Sequence, residues 1–343
     1  MPFLASIPKD LRAALLVVAG FAAFVTWDQW HWWSVKDDYS FGFIVPLFVA
    51  YVVYDRWPRL VSITNAPPTR VAAGWIRRLA SIQAGFVLGG GLILFSMGAL
   101  YRAGSGVSQP GSLAMALGFA AIVLGLVYLS VPTPSDAGGA PVVVRGFGGG
   151  LRALWSEPRM QAVLLFVFPA FVWIVSAPLV SAIERTLSLV LLEKVTTVVF
   201  FTFDMLGLPL ERRGNVLAFP KGEVGVAEAC SGIRSLTGSI FAGSFLAAVF
   251  LDRFWKKFGL VAAAMVLAFM TNIARSLFLT GWAYTHGSES IEGAVHDVTG
   301  YAVLGVTTVG LLLLLPVFNF RFRIPEHLEA LPDGDGESGS VSK

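Results

Sequence analysis

The chain has 343 residues, 55% of them hydrophobic and 14% charged, with a formal net charge of +3 and a mean hydropathy of +0.71. A water-soluble domain carries roughly 25% charged residues, so the composition excludes a soluble globular protein and predicts an all-α polytopic membrane protein. The small positive charge does not point to nucleic acid, because the basic residues sit in short loops between apolar runs.

A helix needs about 20 mostly apolar residues to cross a bilayer. The first candidate, Leu11 to Trp27, lacks a small-residue cleavage site and is followed by aromatics, so it reads as a signal-anchor span and not as a removable signal peptide. Ser40 to Tyr54, Leu79 to Tyr101 and Gly111 to Val131 complete an N-terminal unit over 1–131. The second of these four spans is short and can start in the aromatic segment before it. Residues 132–160 are rich in Gly and Pro and read as a flexible cytoplasmic linker.

Gln161 to Ala182 opens a core over 161–320, interrupted by an extracytoplasmic segment over 183–229. Within that segment, Leu187 to Phe203 is apolar but carries Glu193 and Lys194 at its middle, which is expensive in lipid. It is expected as an interfacial or re-entrant helix on the outer side. Asp204 to Val226 contains Gly207, Pro209, Gly214 and the turn Pro220-Lys221-Gly222, and predicts a short hairpin. Gly232 to Leu251, Phe258 to Trp282 and Val295 to Phe318 bring the bundle to about eight spans. The tail over 321–343 is polar and reads as disordered. No internal repeat is evident.

Loop charges orient the bundle. Arg56, Arg59, Arg70, Arg77 and Arg78 fall between spans two and three. Arg145, Arg152 and Arg159 fall between four and five, Arg253, Lys256 and Lys257 between six and seven, and Arg321 and Arg323 after eight. Eight spans put all of these on one side, the cytoplasm, together with Lys9 and Arg12.

On this topology three unusual residues converge. Cys230, the single cysteine, stands at the outer end of span six. Arg275 is roughly 25 Å along span seven at 1.5 Å per residue, near the outer edge of the hydrocarbon. His296 starts span eight on the same side. Cys230 and Arg234 are four apart and share a helix face, as do Asn272 and Arg275, while Glu228 and Asp297 flank the group. Each has a plainer reading. A lone cysteine is often a small buried apolar residue, an arginine near a helix end can snorkel, an interfacial histidine can simply be hydrogen-bonded, and Arg234 can serve packing or a lipid headgroup. Taken jointly, a thiol, a guanidinium and an imidazole at one depth support acyl transfer: thiolate attack, acid/base work by histidine, and oxyanion stabilisation by arginine.

A transporter, or a non-catalytic assembly component for surface polymers, is the competing reading, with the Arg/His cluster lining a polar path. It predicts polar residues at several depths, whereas these gather at one. A zinc protease would need a His-Glu-x-x-His helix and a serine hydrolase a Gly-x-Ser-x-Gly turn; the sequence has neither. No metal or organic cofactor motif is present.

The run Glu228-Ala229-Cys230-Ser231-Gly232-Ile233-Arg234, then Asn272-Ile273-Ala274-Arg275, then His296-Asp297 with Gly300, resembles the signature of the exosortase/archaeosortase family. Asp38-Tyr39-Ser40-Phe41-Gly42 with Pro46 is similar to that family's N-terminal motif, in which a histidine is usual where this chain has Phe41. The resemblance covers most of Ser40 to Leu315 and is strongest from Val224 to Gly300. It implies a multipass cysteine peptidase/transpeptidase of the cytoplasmic membrane with its active site on the extracytoplasmic side. Its substrates would be secreted proteins ending in a short motif, a transmembrane helix and a basic tail, passed by way of a thioester to a lipid or polysaccharide acceptor. Carried over residue by residue, Cys230 is the nucleophile, Arg275 the essential arginine and His296 the acid/base. Arg234, Asn272, Glu228 and Asp297 would support them.

Overall fold

The computed structural model describes residues 5–65, 70–132, 142–144, 146–220, 222–225 and 233–319. In lipid a backbone can satisfy its polar groups only internally, so long apolar runs become helices. In chain order the elements are α1 (Lys9–Val35), a 3₁₀ segment (Asp37–Ile44), α2 (Val45–Asp55), α3 (Trp57–Asn65), β1 (Arg70–Ala72), α4 (Gly74–Ser105) and α5 (Gln109–Ser130). Then come β2 (Val142–Val144), α6 (Phe147–Ser156), α7 (Pro158–Val175), α8 (Ser181–Met205), and the strands β3 (Glu211–Arg213), β4 (Val216–Phe219) and β5 (Gly222–Gly225). The chain finishes with α9 (Ile233–Phe250), α10 (Phe254–His286), a 3₁₀ turn (Ser288–Ile291) and α11 (Ala294–Asn319). This is an all-α polytopic membrane protein.

Side-chain contacts divide the bundle into two ends. At one, Lys36 pairs with Glu184 at 2.7 Å, Gln109 donates to Glu184 at 3.2 Å, and Trp33 donates to the Ser176 carbonyl at 3.0 Å. Thr237 on α9 joins this end by donating to the Asp38 carbonyl at 3.1 Å. At the other, Arg56 donates to the Ala248 carbonyl, and Arg159 to that of Val131 at 2.8 Å. Here too a Cβ on Gly259 would lie 2.8 Å from the Phe318 ring. The eight spans read from the sequence therefore alternate between a Lys36 end and an Arg56 end.

Among the described residues, eight helical segments are long and apolar enough to cross a membrane; they include α8, while the described part of α9 counts as a shorter apolar helix. Side-chain contacts show what each end of α8 meets. Ser181 and Glu184 bond to Gln109 and Lys36, and Phe203 meets the Tyr284 ring at 6.0 Å near the end of α10. Both ends of α8 thus stay at the Lys36 end, and Glu193 and Lys194 are exposed. The strands that follow form an antiparallel sheet in the order β3-β4-β5, the expected hairpin with one strand added.

At the Arg56 end, the described part of the expected flexible linker is ordered. β2 pairs with β1 in parallel, and α6 buries Ala153 and Leu154 against Ala72 and Ile76. Residues 133–141 and the tail over 321–343 lie outside the described residues.

Small residues let helices approach, which matters in a membrane because lipid supplies no hydrophobic force between them. A Cβ on Gly118 of α5 would stand 2.6 Å from the Phe95 nitrogen of α4. Gly42 is tighter still. A Cβ there would occupy the Trp33 indole, so this glycine lets the 3₁₀ segment fold back onto α1.

Between α6 and α7, Glu157 is 1% exposed and accepts the Ala72 N–H at 2.8 Å. Burial pushes its carboxyl above the ordinary glutamate value, against the opposing pull of that hydrogen bond and of Arg77 and Arg159. The folded state therefore binds this proton more tightly than the unfolded chain. Its contribution is fully present below the unfolded value of 4.5 and declines as pH rises through the raised folded value. Thermal unfolding in detergent should show wild type losing stability as pH rises from 4.5 through that raised value. Glu157→Gln, which keeps an acceptor but no charge, should lack that part of the slope. Glu157→Ala should lose about 1–3 kcal/mol at every pH, because it strands the Ala72 N–H.

Candidate active site

The site is built where α9, α10 and α11 meet. α10 rises about 1.5 Å per residue, so its run from Phe254 to His286 outreaches a hydrocarbon core of about 30 Å. Its last turns lie toward the Lys36 end of the bundle. Small side chains set the register of its neighbours. A Cβ on Gly243 of α9 would stand 2.8 Å from that of Ala264, and one on Gly310 of α11 would stand 2.6 Å from Leu267. The hydroxyls of Thr271 and Thr307 meet at 3.0 Å.

One turn beyond Thr271, Arg275 leans across to α11. Its Nη2 donates to the His296 carbonyl at 3.1 Å, and a Cβ on Gly300 would lie 3.5 Å from the same nitrogen. That is ordinary van der Waals contact, so the guanidinium lies against the first turns of α11. The His296 carbonyl also accepts the Thr299 hydroxyl at 2.9 Å. The Arg275 Nε is buried with no partner, and no carboxylate pairs with Arg275 among the described residues. A cation held in place by a neutral carbonyl keeps its charge available for an incoming anion or a developing oxyanion.

The flanking residues follow the helices. Asn272 is 4% exposed and Ser276 is 2% exposed, with its Oγ unpartnered. Arg275 and His296 are half-buried, whereas Asp297 is exposed in the first turn of α11. An acidic residue there suits the positive end of the helix.

The strands bring the chain toward this corner. Phe219 and Val224 pack with Ala283, Tyr284 and Ile291. Gly222 (φ +144°) abuts Ser288, and a Cβ there would come 2.7 Å from its Oγ. The strand that leads toward Cys230 therefore rests on the turn that leads toward His296. About three turns back from Gly243 along α9, and three turns on from Ala264 along α10, the start of α9 comes level with Arg275. Cys230 and Glu228 lie outside the described residues, as does the Arg234 side chain.

The N-terminal motif also docks here. Tyr39 is fully buried and accepts the Leu179 N–H at 3.0 Å, and Phe41 stacks on Phe241 of α9 at 5.0 Å. Sequence reasoning gave Phe41 no role and did not single out Thr237, Ser276 or Thr299. Thr237 offered a signal, since it follows Arg234 by three residues and so shares its helix face. Among the described residues, no group of three His, Cys, Asp or Glu side chains could hold a metal ion.

A family model described as transmembrane exosortase matches residues 32–313. No curated protein and no solved structure matches the chain.

Proposed function

We propose a function from one premise: the chain belongs to the transmembrane exosortase family. It is a cysteine peptidase/transpeptidase that removes the C-terminal sorting signal of secreted, membrane-tethered proteins at the outer face of the cytoplasmic membrane. The observation that carries this reading is the Arg275–His296 contact. It joins two residues of the family signature at the end of the bundle toward which β5 and the start of α9 lead the Cys230 segment.

In the proposed reaction the Cys230 thiolate attacks the carbonyl carbon of the scissile peptide. The oxyanion that forms is stabilised by the guanidinium of Arg275, which pairs with no carboxylate among the described residues. Collapse breaks the C–N bond, and the leaving amine takes a proton from His296. This leaves a thioester on Cys230. A nucleophile from a lipid or polysaccharide acceptor, or water, gives its proton to His296 and attacks the thioester. The thiolate departs. Asn272 backs Arg275 from one turn away, and Asp297, Glu228 and Arg234 set the local charge.

The orientation is supported by the basic residues at the opposite end of the bundle, where Arg56, Arg59, Arg253, Lys256 and Lys257 gather. A substrate helix lying against the bundle with its basic tail at that end would bring its short motif to the depth of Arg275, which is catalysis by positioning.

The test is a tagged secreted protein ending in a short motif, a transmembrane helix and a basic cluster, co-expressed with the enzyme in native membranes. The expected result is a shortened product and a covalent adduct on Cys230 that neutral hydroxylamine releases. A substrate left at full length across a panel of such signals, or an adduct stable to hydroxylamine, overturns the reading.

A further inference from the structure

Away from the site, α1 and α2 part along their length and leave an apolar groove of about 590 Å³, floored by α5 and α7. Leu15, Ala19, Ala22, Val49, Val53 and Phe119 line it. These residues belong to membrane-crossing segments, so the medium at the groove's mouth is lipid. Toward the Arg56 end the groove reaches Tyr54 and Trp57, the ring types that settle at headgroup level. One turn before Leu15 and Leu16, on the same face of α1, stands Arg12. Arg12 donates to the Ile7 carbonyl at 3.4 Å and its Nε is buried without a partner. Arg12 thus stands one turn beyond the groove's lining with no carboxylate partner among the described residues.

Chemistry decides what fits: the groove is lined by apolar side chains, opens onto lipid, and has a guanidinium one turn beyond its Arg56 end. An acyl chain is a single file of methylenes. We propose that this groove is a phospholipid site: one acyl chain lies between α1 and α2, and the lipid's anionic phosphate meets Arg12 in the leaflet at the Arg56 end. The proposal is independent of the chemistry at Arg275.

Native mass spectrometry of the full chain, equilibrated in detergent with equal amounts of phosphatidylglycerol and phosphatidylcholine, tests it. Wild type should retain phosphatidylglycerol about fivefold over phosphatidylcholine, the factor that one arginine near a charged membrane surface supplies. Arg12→Gln should bring that ratio to about one. Ala19→Phe, which fills the groove, should lose both lipids while keeping wild-type helicity and elution. An unchanged ratio in Arg12→Gln overturns the proposal, and that variant leaves the groove packing intact, so it decides the matter even if Ala19→Phe misfolds. Unchanged lipid retention in a folded Ala19→Phe that no longer processes substrate would assign the groove to a protein helix and overturn it equally.

Discussion

Cys230→Ala should abolish processing of a tagged substrate in native membranes while the enzyme accumulates to wild-type levels. Loss of a covalent nucleophile removes the whole two-step route, and in enzymes of this kind it costs on the order of 10⁴-fold or more in turnover. A helix N-terminus and nearby guanidinium groups favour the thiolate, and Cys230 precedes α9 with Arg234 four residues on. Cys230→Ser should be nearly as inactive, since a hydroxyl beside the same groups stays protonated. The measurement is the ratio of shortened to full-length substrate on immunoblots. Processing by Cys230→Ala at the wild-type level would move the nucleophile elsewhere, Ser231 being the nearest candidate, and would leave Cys230 a packing residue.

Arg275→Gln should lower turnover by about 10²–10³-fold, the usual cost of removing one oxyanion donor. Arg275→Lys should recover little of it. A guanidinium can hold the His296 carbonyl with one nitrogen and face substrate with the others, while an ammonium is a single point of charge. The check is kinetic, with kcat and KM measured apart in detergent and the melting temperature measured alongside. A fall in kcat with the melting temperature within a degree or two places Arg275 on the reacting atoms. If the melting temperature drops and kcat per folded molecule holds, Arg275 is a clamp between α10 and α11 and no more.

Much of this arrangement can be read from the sequence because membrane folding is governed by few terms. Apolar length defines the spans and loop charge their direction. Loop charge and helix rise together set Arg275 and His296 at one depth, and their two helices do meet there. What sequence cannot reach is lateral docking. Hydropathy gives no sign that Gly42 sits under Trp33, because that fit depends on how α1 and the 3₁₀ segment cross. The stacking of Phe41 on Phe241 joins residues far apart in the chain, and nothing local marks it. β1 and β2 are three residues each and parallel, so each is stable only through its partner. The path of α8 is a subtler case. Its length and apolarity suit a span, and what speaks against one in the sequence is Glu193 and Lys194 together with the basic loop at Arg253–Lys257, which a crossing would turn outward.

Those two charges have a consequence for handedness of insertion. If α8 does not cross, the crossings number an even total, and Lys9 and Asn319 share a compartment. Were α8 to traverse the bilayer, the parity would change and every helix after it would be inverted. Arg275 and His296 would keep their mutual geometry and open onto the opposite compartment. On that reading the exposed Glu193 and Lys194 would bear on which side of the membrane the Arg275–His296 pair faces.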